Sequence, residues 1–301
     1  MSKIPIRPLT ILVALVAAGL FAPASAAAQP VSCSPASVTT AIPTSSLMDW
    51  SENLTYDRQG NLWVSRISRD RVVRYDPSGH VTASVPIDAP GALRVGPDGL
   101  MYAVTGNRTF NIVTHQPSGV VRFDPTAPAP VPRPVVSGQG IANGAAFDSA
   151  GNLYVADELA GIFRVLPNGT IDRAWSDQAK LFGVNGVAVL GDDVITSVIS
   201  SMTGEVYRIP IGAPSSKSVL AQLTPAVLPV PTLPDDMAVA PDGMLYVTTA
   251  VGRLVRVDPS DGSTCTVVVG EPMTSAVFTP GSDKEMLVGT ESGRVLRVVL
   301  N

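Results

Sequence analysis

At 301 residues, 45% of them hydrophobic and 15% charged, the chain is long enough and apolar enough to bury a core of its own. A formal net charge of −4, with no block of basic residues, excludes the clustered Lys and Arg on which nucleic-acid binding rests. Two cysteines and two histidines leave no ligand set for a soft-metal centre.

The chain opens on a leader. Lys3 and Arg7 precede an apolar run from Leu9 to Phe21, and Ala24-Ser25-Ala26 closes it with small residues. This is the pattern of a secretory signal peptide, assigned to residues 1–28, and the run is short of the roughly 20 residues a membrane span needs. No second apolar run follows. The mature chain, 29–301, is therefore expected to be exported without an integral membrane segment, secreted or held in the periplasm or cell envelope. Cys33 follows Pro30-Val31-Ser32, which lacks the Leu of a lipid-attachment signal.

Beyond the leader the chain repeats itself. A turn ending in Gly leads into an alternating apolar strand at Gly60-Asn61-Leu62-Trp63-Val64, Gly99-Leu100-Met101-Tyr102-Ala103, Gly151-Asn152-Leu153-Tyr154-Val155 and Gly243-Met244-Leu245-Tyr246-Val247. Asp193-Val194-Ile195-Thr196 and Glu285-Met286-Leu287-Val288 are degenerate copies. After each comes a strand with Arg in register, at Arg74, Arg122, Arg164, Arg208, Arg256 and Arg297. Before most of the turns lies a strand of small apolar residues, such as Gly144-Ala145-Ala146-Phe147 and Gly186-Val187-Ala188-Val189. Each unit thus reads as three strands and a weaker fourth. Six units with period-2 alternation and Gly-containing turns predict an all-β, six-bladed β-propeller with four-stranded blades, in which radial closure protects the sheet edges. The turn residues Asp57, Asp98, Asp148 and Asp242 read as structural, Trp63 and Tyr154 as packing, and the recurring Arg residues as facing outward or pairing between blades. Arg66, Arg69, Arg71 and Arg74 form the one basic cluster and read as solvated.

The last strand ends at Leu300, so the stretch from Ala36 to Ile42 is the expected donor of the missing outer strand of the sixth blade. Cys33 then falls beside the outer strand of the fifth blade, where Cys265 lies, and a Cys33–Cys265 disulfide is expected to close the ring. The Pro-rich stretches from Thr126 to Pro134 and from Thr224 to Pro234 fall between units and read as crossings between blades, not domain boundaries. A ring that carries its own core is expected to be monomeric.

In a propeller the first strand of every blade lines the central channel and starts at one mouth. The residues there are Glu52, Gly91 or Ala92, Asn143, Asn185, Asp235, and Thr274 or Ser275. Two carboxylates and two carboxamides converging on an axis form an oxygen-only set suited to Ca²⁺, with another divalent cation as alternative. Asn143-Gly144 and Asn185-Gly186 also fit ordinary turn chemistry, which competes with the ligand reading.

These residues resemble the gluconolactonase, senescence-marker-protein and luciferin-regenerating-enzyme family, related to the paraoxonases and diisopropyl fluorophosphatase. The motifs that carry the resemblance are Ser51-Glu52-Asn53-Leu54-Thr55-Tyr56-Asp57, Ala142-Asn143-Gly144, Val184-Asn185-Gly186-Val187-Ala188-Val189 and Pro234-Asp235-Asp236-Met237-Ala238-Val239. The resemblance implies a divalent ion held by Glu52, Asn143, Asn185 and Asp235, and hydrolysis of a small lactone or ester. Asp235 would activate water, with Asp236 as alternate ligand or base. The chain departs from the family pattern at Arg66, where many relatives have Asp, at Ser197 to Ser201, and in lacking a histidine dyad.

Two other functions remain open: a non-catalytic exported propeller that binds protein or glycan, and a strictosidine-synthase-like enzyme, which shares the six blades but not this ligand set. There is no Gly-x-Ser-x-Gly elbow, no His-Glu-x-x-His, no P-loop and no EF-hand loop.

Overall fold

The computed structural model describes residues 33–44, 46–108, 117–223 and 231–301. The leader, His115 and part of the second Pro-rich stretch lie outside the described residues.

Six antiparallel sheets follow one another along the chain. Blade one holds β2 (Ser51–Tyr56), β3 (Leu62–Arg66), β4 (Arg71–Tyr75) and β5 (Val81–Pro86). Blade two holds β6 (Leu93–Val95), β7 (Met101–Thr105), β8 (Ser118–Phe123) and β9 (Arg133–Gln139). Blade three keeps three strands, β10 (Ala142–Phe147), β11 (Leu153–Asp157) and β12 (Gly161–Val165). Blade four holds β13 (Val184–Leu190), β14 (Asp193–Val198), β15 (Glu205–Pro210) and β16 (Ser218–Gln222), and blade five β17 (Pro234–Val239), β18 (Leu245–Thr249), β19 (Arg253–Val257) and β20 (Thr264–Val269). Blade six joins β21 (Met273–Phe278), β22 (Glu285–Thr290) and β23 (Val295–Val299) to β1 (Ser37–Ile42) from the other end of the chain.

The predicted closure is observed: β1 pairs antiparallel with β23, Val38 opposite Val298. Cys33 is bonded to Cys265 on β20, with Cα atoms 5.2 Å apart, and its N–H donates to the Thr266 carbonyl. The N-terminal segment therefore completes blade six and is stapled to blade five.

Blade three departs from the expected four strands. After one bridge, Val165 to Ile171, the chain turns into the helix α1 (Arg173–Gln178). Asp172 caps it by accepting from the Trp175 N–H, as short Asx side chains do at helix starts. Trp175 then buries its ring edge-on against Tyr154 and donates its indole N–H to the Ile211 carbonyl. One buried aromatic thus covers the sheet where an outer strand would lie.

The core is divided among the joints between blades. Six separate apolar clusters form, one for each pair of neighbours; that between blades one and two gathers Trp63, Val72, Val85, Leu93, Met101 and Phe123. Aromatic pairs bridge three joints, Trp63–Phe123, Tyr102–Phe147 and Tyr246–Phe278. Trp63 and Tyr154 are fully buried, in agreement with their packing role. The turn aspartates also behave as expected: Asp57 accepts from the Gln59 and Asn61 backbone N–H groups and from the Trp63 indole. Of the recurring arginines, Arg74 reaches the Pro125 carbonyl of blade two and Arg208 that of Pro259 in blade five.

Arg66 is the exception in its cluster. It is 4% exposed and donates to the Asp49 carbonyl, the Ser51 hydroxyl and the Gly293 carbonyl, each at 2.6 Å, and to the Tyr75 hydroxyl. It is a buried clamp at the seam between the first and last blades, not a solvated charge.

Candidate metal centre at the channel mouth

The inner strands do more than start at the mouth; most of them bulge there. Pairing with the second strand slips between Ser51 and Asn53, Ala142 and Ala145, Val184 and Val187, Pro234 and Met237, and Met273 and Ala276. Each slip leaves one extra residue on the inner strand, which bends it and re-aims the side chains beside it. Glu52, Asn143, Asn185, Asp235, Thr274 and Ser275 all lie within these slips.

The two Asn-Gly pairs are therefore strand residues, not turns. Gly144 and Gly186 sit in β10 and β13, and neither has a positive φ. Glycine is required there by the next blade: a Cβ on Gly144 would lie 2.2 Å from the Asn185 carbonyl oxygen, and one on Gly186 2.5 Å from that of Asp235. Hydroxyls complete the stitching, with Ser65 donating to the Gly91 carbonyl, Ser197 to that of Asp235 and Thr274 to that of Ser51.

Every polar residue expected at the mouth is buried. Glu52 is 6% exposed, Asn143 8%, Asn185 2% and Asp235 7%. Glu52 accepts from the Trp50 indole at 2.8 Å and from Asn107 Nδ2 at 2.7 Å. Asn107, on the loop after β7, thus brings blade two to a mouth where its inner strand offers only Gly91 and Ala92. Glu158, directly after β11, accepts from Asn143 Nδ2 at 3.3 Å and from Asn185 Nδ2 at 3.4 Å. Glu291, directly after β22, holds the same place in the opposite blade.

Beneath this layer lies a second. Asp236 Oδ2 accepts from Asn53 Nδ2 at 2.7 Å and from Arg94 at 3.0 Å, while Asn53 Oδ1 accepts from the Leu93 N–H and from Arg94. Arg94 also lines the rest of the channel, a cavity of about 500 Å³ walled by Val, Ala, Met and Phe side chains from the inner strands. Asp236 thus faces inward to an arginine while its neighbour Asp235 belongs to the mouth.

The electrostatics follow from burial. Desolvation lifts Glu52 to about 7, against the pull of the Trp50 and Asn107 hydrogen bonds and with the added push of Glu158 and Asp236. Asp235 is pushed well above the ordinary carboxylate range by burial first, then by the charges of Glu52, Asp236, Glu158 and Glu291. Glu158 and Glu291 are raised by burial as well. A mouth that resists holding its own negative charges is one that a cation stabilises.

The donor set fits a hard cation that takes mixed oxygen ligands. Among the described residues no three His, Cys, Asp and Glu side chains gather closely enough to hold an ion alone. An ion there would need carboxamide oxygens as well, and Asn185 Oδ1 is buried without a hydrogen-bond partner. Glu158, Glu291 and Asn107 escaped the sequence reading because they follow second strands instead of opening first ones. Their shared signal is register, a polar residue just past the end of the second strand.

Comparison with known proteins places the chain by shape. A family model described as strictosidine synthase-like, N-terminal, matches residues 218–257, from β16 to β19. No curated protein sequence matches significantly. The structure of a luciferin-regenerating enzyme superposes with a TM-score of 0.65 at 14% identity, covering 88% of this chain and 95% of that one. Regucalcin from Agrobacterium tumefaciens, described as a calcium-binding protein, gives 0.63 at 16% identity over 86% and 96%. The PQQ-bound aldose sugar dehydrogenase of Streptomyces coelicolor gives 0.63 at 16% identity over 90% and 99%. A luciferin-regenerating enzyme, a sugar dehydrogenase and a calcium-binding protein share one architecture, and what these likenesses establish for this chain is the six-bladed β-propeller fold.

Proposed function

We propose that the protein is an exported, Ca²⁺-dependent hydrolase of a small lactone or ester, acting at the channel mouth. The observation that carries this reading is the buried ring of Glu52, Asn143, Asn185 and Asp235, in which carboxylates are held away from water and the oxygen of Asn185 has no partner. An ion held by those four residues would polarise the scissile carbonyl and stabilise the developing oxyanion. Asp235, buried at the same mouth, would take the proton of the attacking water. The water oxygen adds to the carbonyl carbon, the ring or ester C–O bond breaks, and the departing oxygen receives the proton. Asp236 is the less suitable base, since Oδ2 is committed to Asn53 and Arg94. The disulfide supports export, because such bonds persist in oxidising compartments.

The test is ion content and Ca²⁺ affinity of the purified chain, compared with Asp235→Ala and Asn185→Ala, beside turnover of a panel of lactones and esters. Loss of affinity by about tenfold or more in both variants, with turnover falling in parallel, is the expected outcome. A chain that binds no divalent ion and turns nothing over is a binding propeller. Turnover that persists in chelator would favour the strictosidine-synthase-like reading, to which the match over residues 218–257 lends its support.

A further inference from the structure

A carboxamide can serve a cation only through its oxygen, and its amide end repels one. Whether Asn143 and Asn185 act as ligands therefore depends on which end of each side chain faces the axis. Neither rotamer preference nor backbone geometry decides between the two ends, because oxygen and NH₂ are nearly equal in size. A neighbour that accepts hydrogen bonds and donates none decides it.

Glu158 is that neighbour. A single oxygen, Oε1, faces Nδ2 of both Asn143 and Asn185, at 3.3 and 3.4 Å. One oxygen that accepts from both side chains can satisfy only their NH₂ ends. The consequence is visible at Asn185, whose Oδ1 is turned away, buried and unpartnered. The backbone fixes Glu158 in place: its N–H donates to the Ile141 carbonyl, and its own carbonyl accepts from the Gly183 N–H at 2.8 Å, which ties the loop to the entry of β13. One residue on blade three is thus braced against both strands whose side chains it orients.

We propose that Glu158 is a positioning residue of the metal centre, which selects the oxygen-inward orientation of Asn143 and Asn185 and so converts two ambivalent carboxamides into cation ligands. This rests on the ion-binding reading above. It assigns Glu158 an indirect part, acting through the asparagines.

The test uses the full mature chain with Glu158→Gln and Glu158→Ala. Glutamine keeps a carbonyl oxygen that can accept from both amides and removes the charge; alanine removes both. Two readouts are needed: Ca²⁺ affinity by calorimetry, and the side-chain NH₂ resonances of Asn143 and Asn185 in the chelator-treated protein. The proposal expects Glu158→Ala to weaken Ca²⁺ by about 10- to 100-fold, the usual range for a lost orienting partner. It expects Glu158→Gln to recover only part of that affinity, because glutamine offers the accepting oxygen in just one of its own two orientations, and both amide resonances to move further in the alanine variant than in the glutamine one. Equal loss in both variants would overturn it in favour of a direct or purely electrostatic role. Unchanged affinity and unmoved resonances in Glu158→Ala would overturn it outright. Moved resonances in a chain whose wild type binds no divalent ion would overturn the metal centre while showing that the orientation by Glu158 is real.

Discussion

Glu52 couples the mouth to pH. An unfolded chain ionises it at about 4.3, whereas burial holds it at about 7 in the fold. Between those values the folded state keeps a proton that the unfolded chain has released. Stability is therefore complete below the lower value, falls as pH rises, and levels off above the higher one. Asp235, raised for the same reason, acts in the same direction. In chelator the protein is expected to melt at a higher temperature at pH 5 than at pH 8, and Glu52→Gln should flatten that profile; a higher melting temperature at pH 8 would contradict it. Added Ca²⁺ should raise the melting temperature more at pH 8 than at pH 5, because ion and proton compete for the same oxygens.

At the scale of the strand, the bulges set how closely blades approach. Gly186→Ala would place a Cβ 2.5 Å from the Asp235 carbonyl oxygen and 2.6 Å from the Asp236 Cα, backbone atoms that cannot yield as the end of a side chain can. The expected cost is about 1–3 kcal/mol, the usual range for overpacking, read as a shift in the denaturation midpoint. Gly243→Ala makes a useful contrast: its Cβ would meet nothing within 4 Å, and its penalty would come from the positive φ of a turn. This difference explains what the sequence could and could not reveal. The alternation of Leu245-Tyr246-Val247 and its five counterparts announces a strand, and the repeat places Glu52, Asn143, Asn185 and Asp235 at a common level. A bulge has no such signature. Asn143-Gly144 looks like a turn until the neighbouring blade is present, Glu158 falls outside the repeat that was read, and the burial of Arg66 depends on Gly293, at the far end of the chain. The helix α1 was equally hidden, since one cap at Asp172 and one aromatic at Trp175 suffice to replace a strand already weak in the other units.

For the whole molecule, stability rests on closing a ring whose core is divided into six joints. The Cys33–Cys265 bridge spans 232 residues of sequence, and on the chain-entropy account a cross-link of that reach contributes roughly 5 kcal/mol. Replacing both cysteines by serine should lower the melting temperature by on the order of 10 °C for a chain of this size, measured by scanning calorimetry and matched by reductant on the wild type. An unchanged melting temperature would mean that β1 and the Arg66 clamp hold the seam unaided.

The pairing of β1 with β23 also orders events in time. The strand β1 finds its partner only when β23 has been made, so the sixth joint cannot form before then on a growing polypeptide. Until then β1 waits as an unpaired edge, and the five earlier joints hold an open arc. Removing β23 would therefore strip β1 of its partner and leave that segment held to blade five by the Cys33–Cys265 bridge.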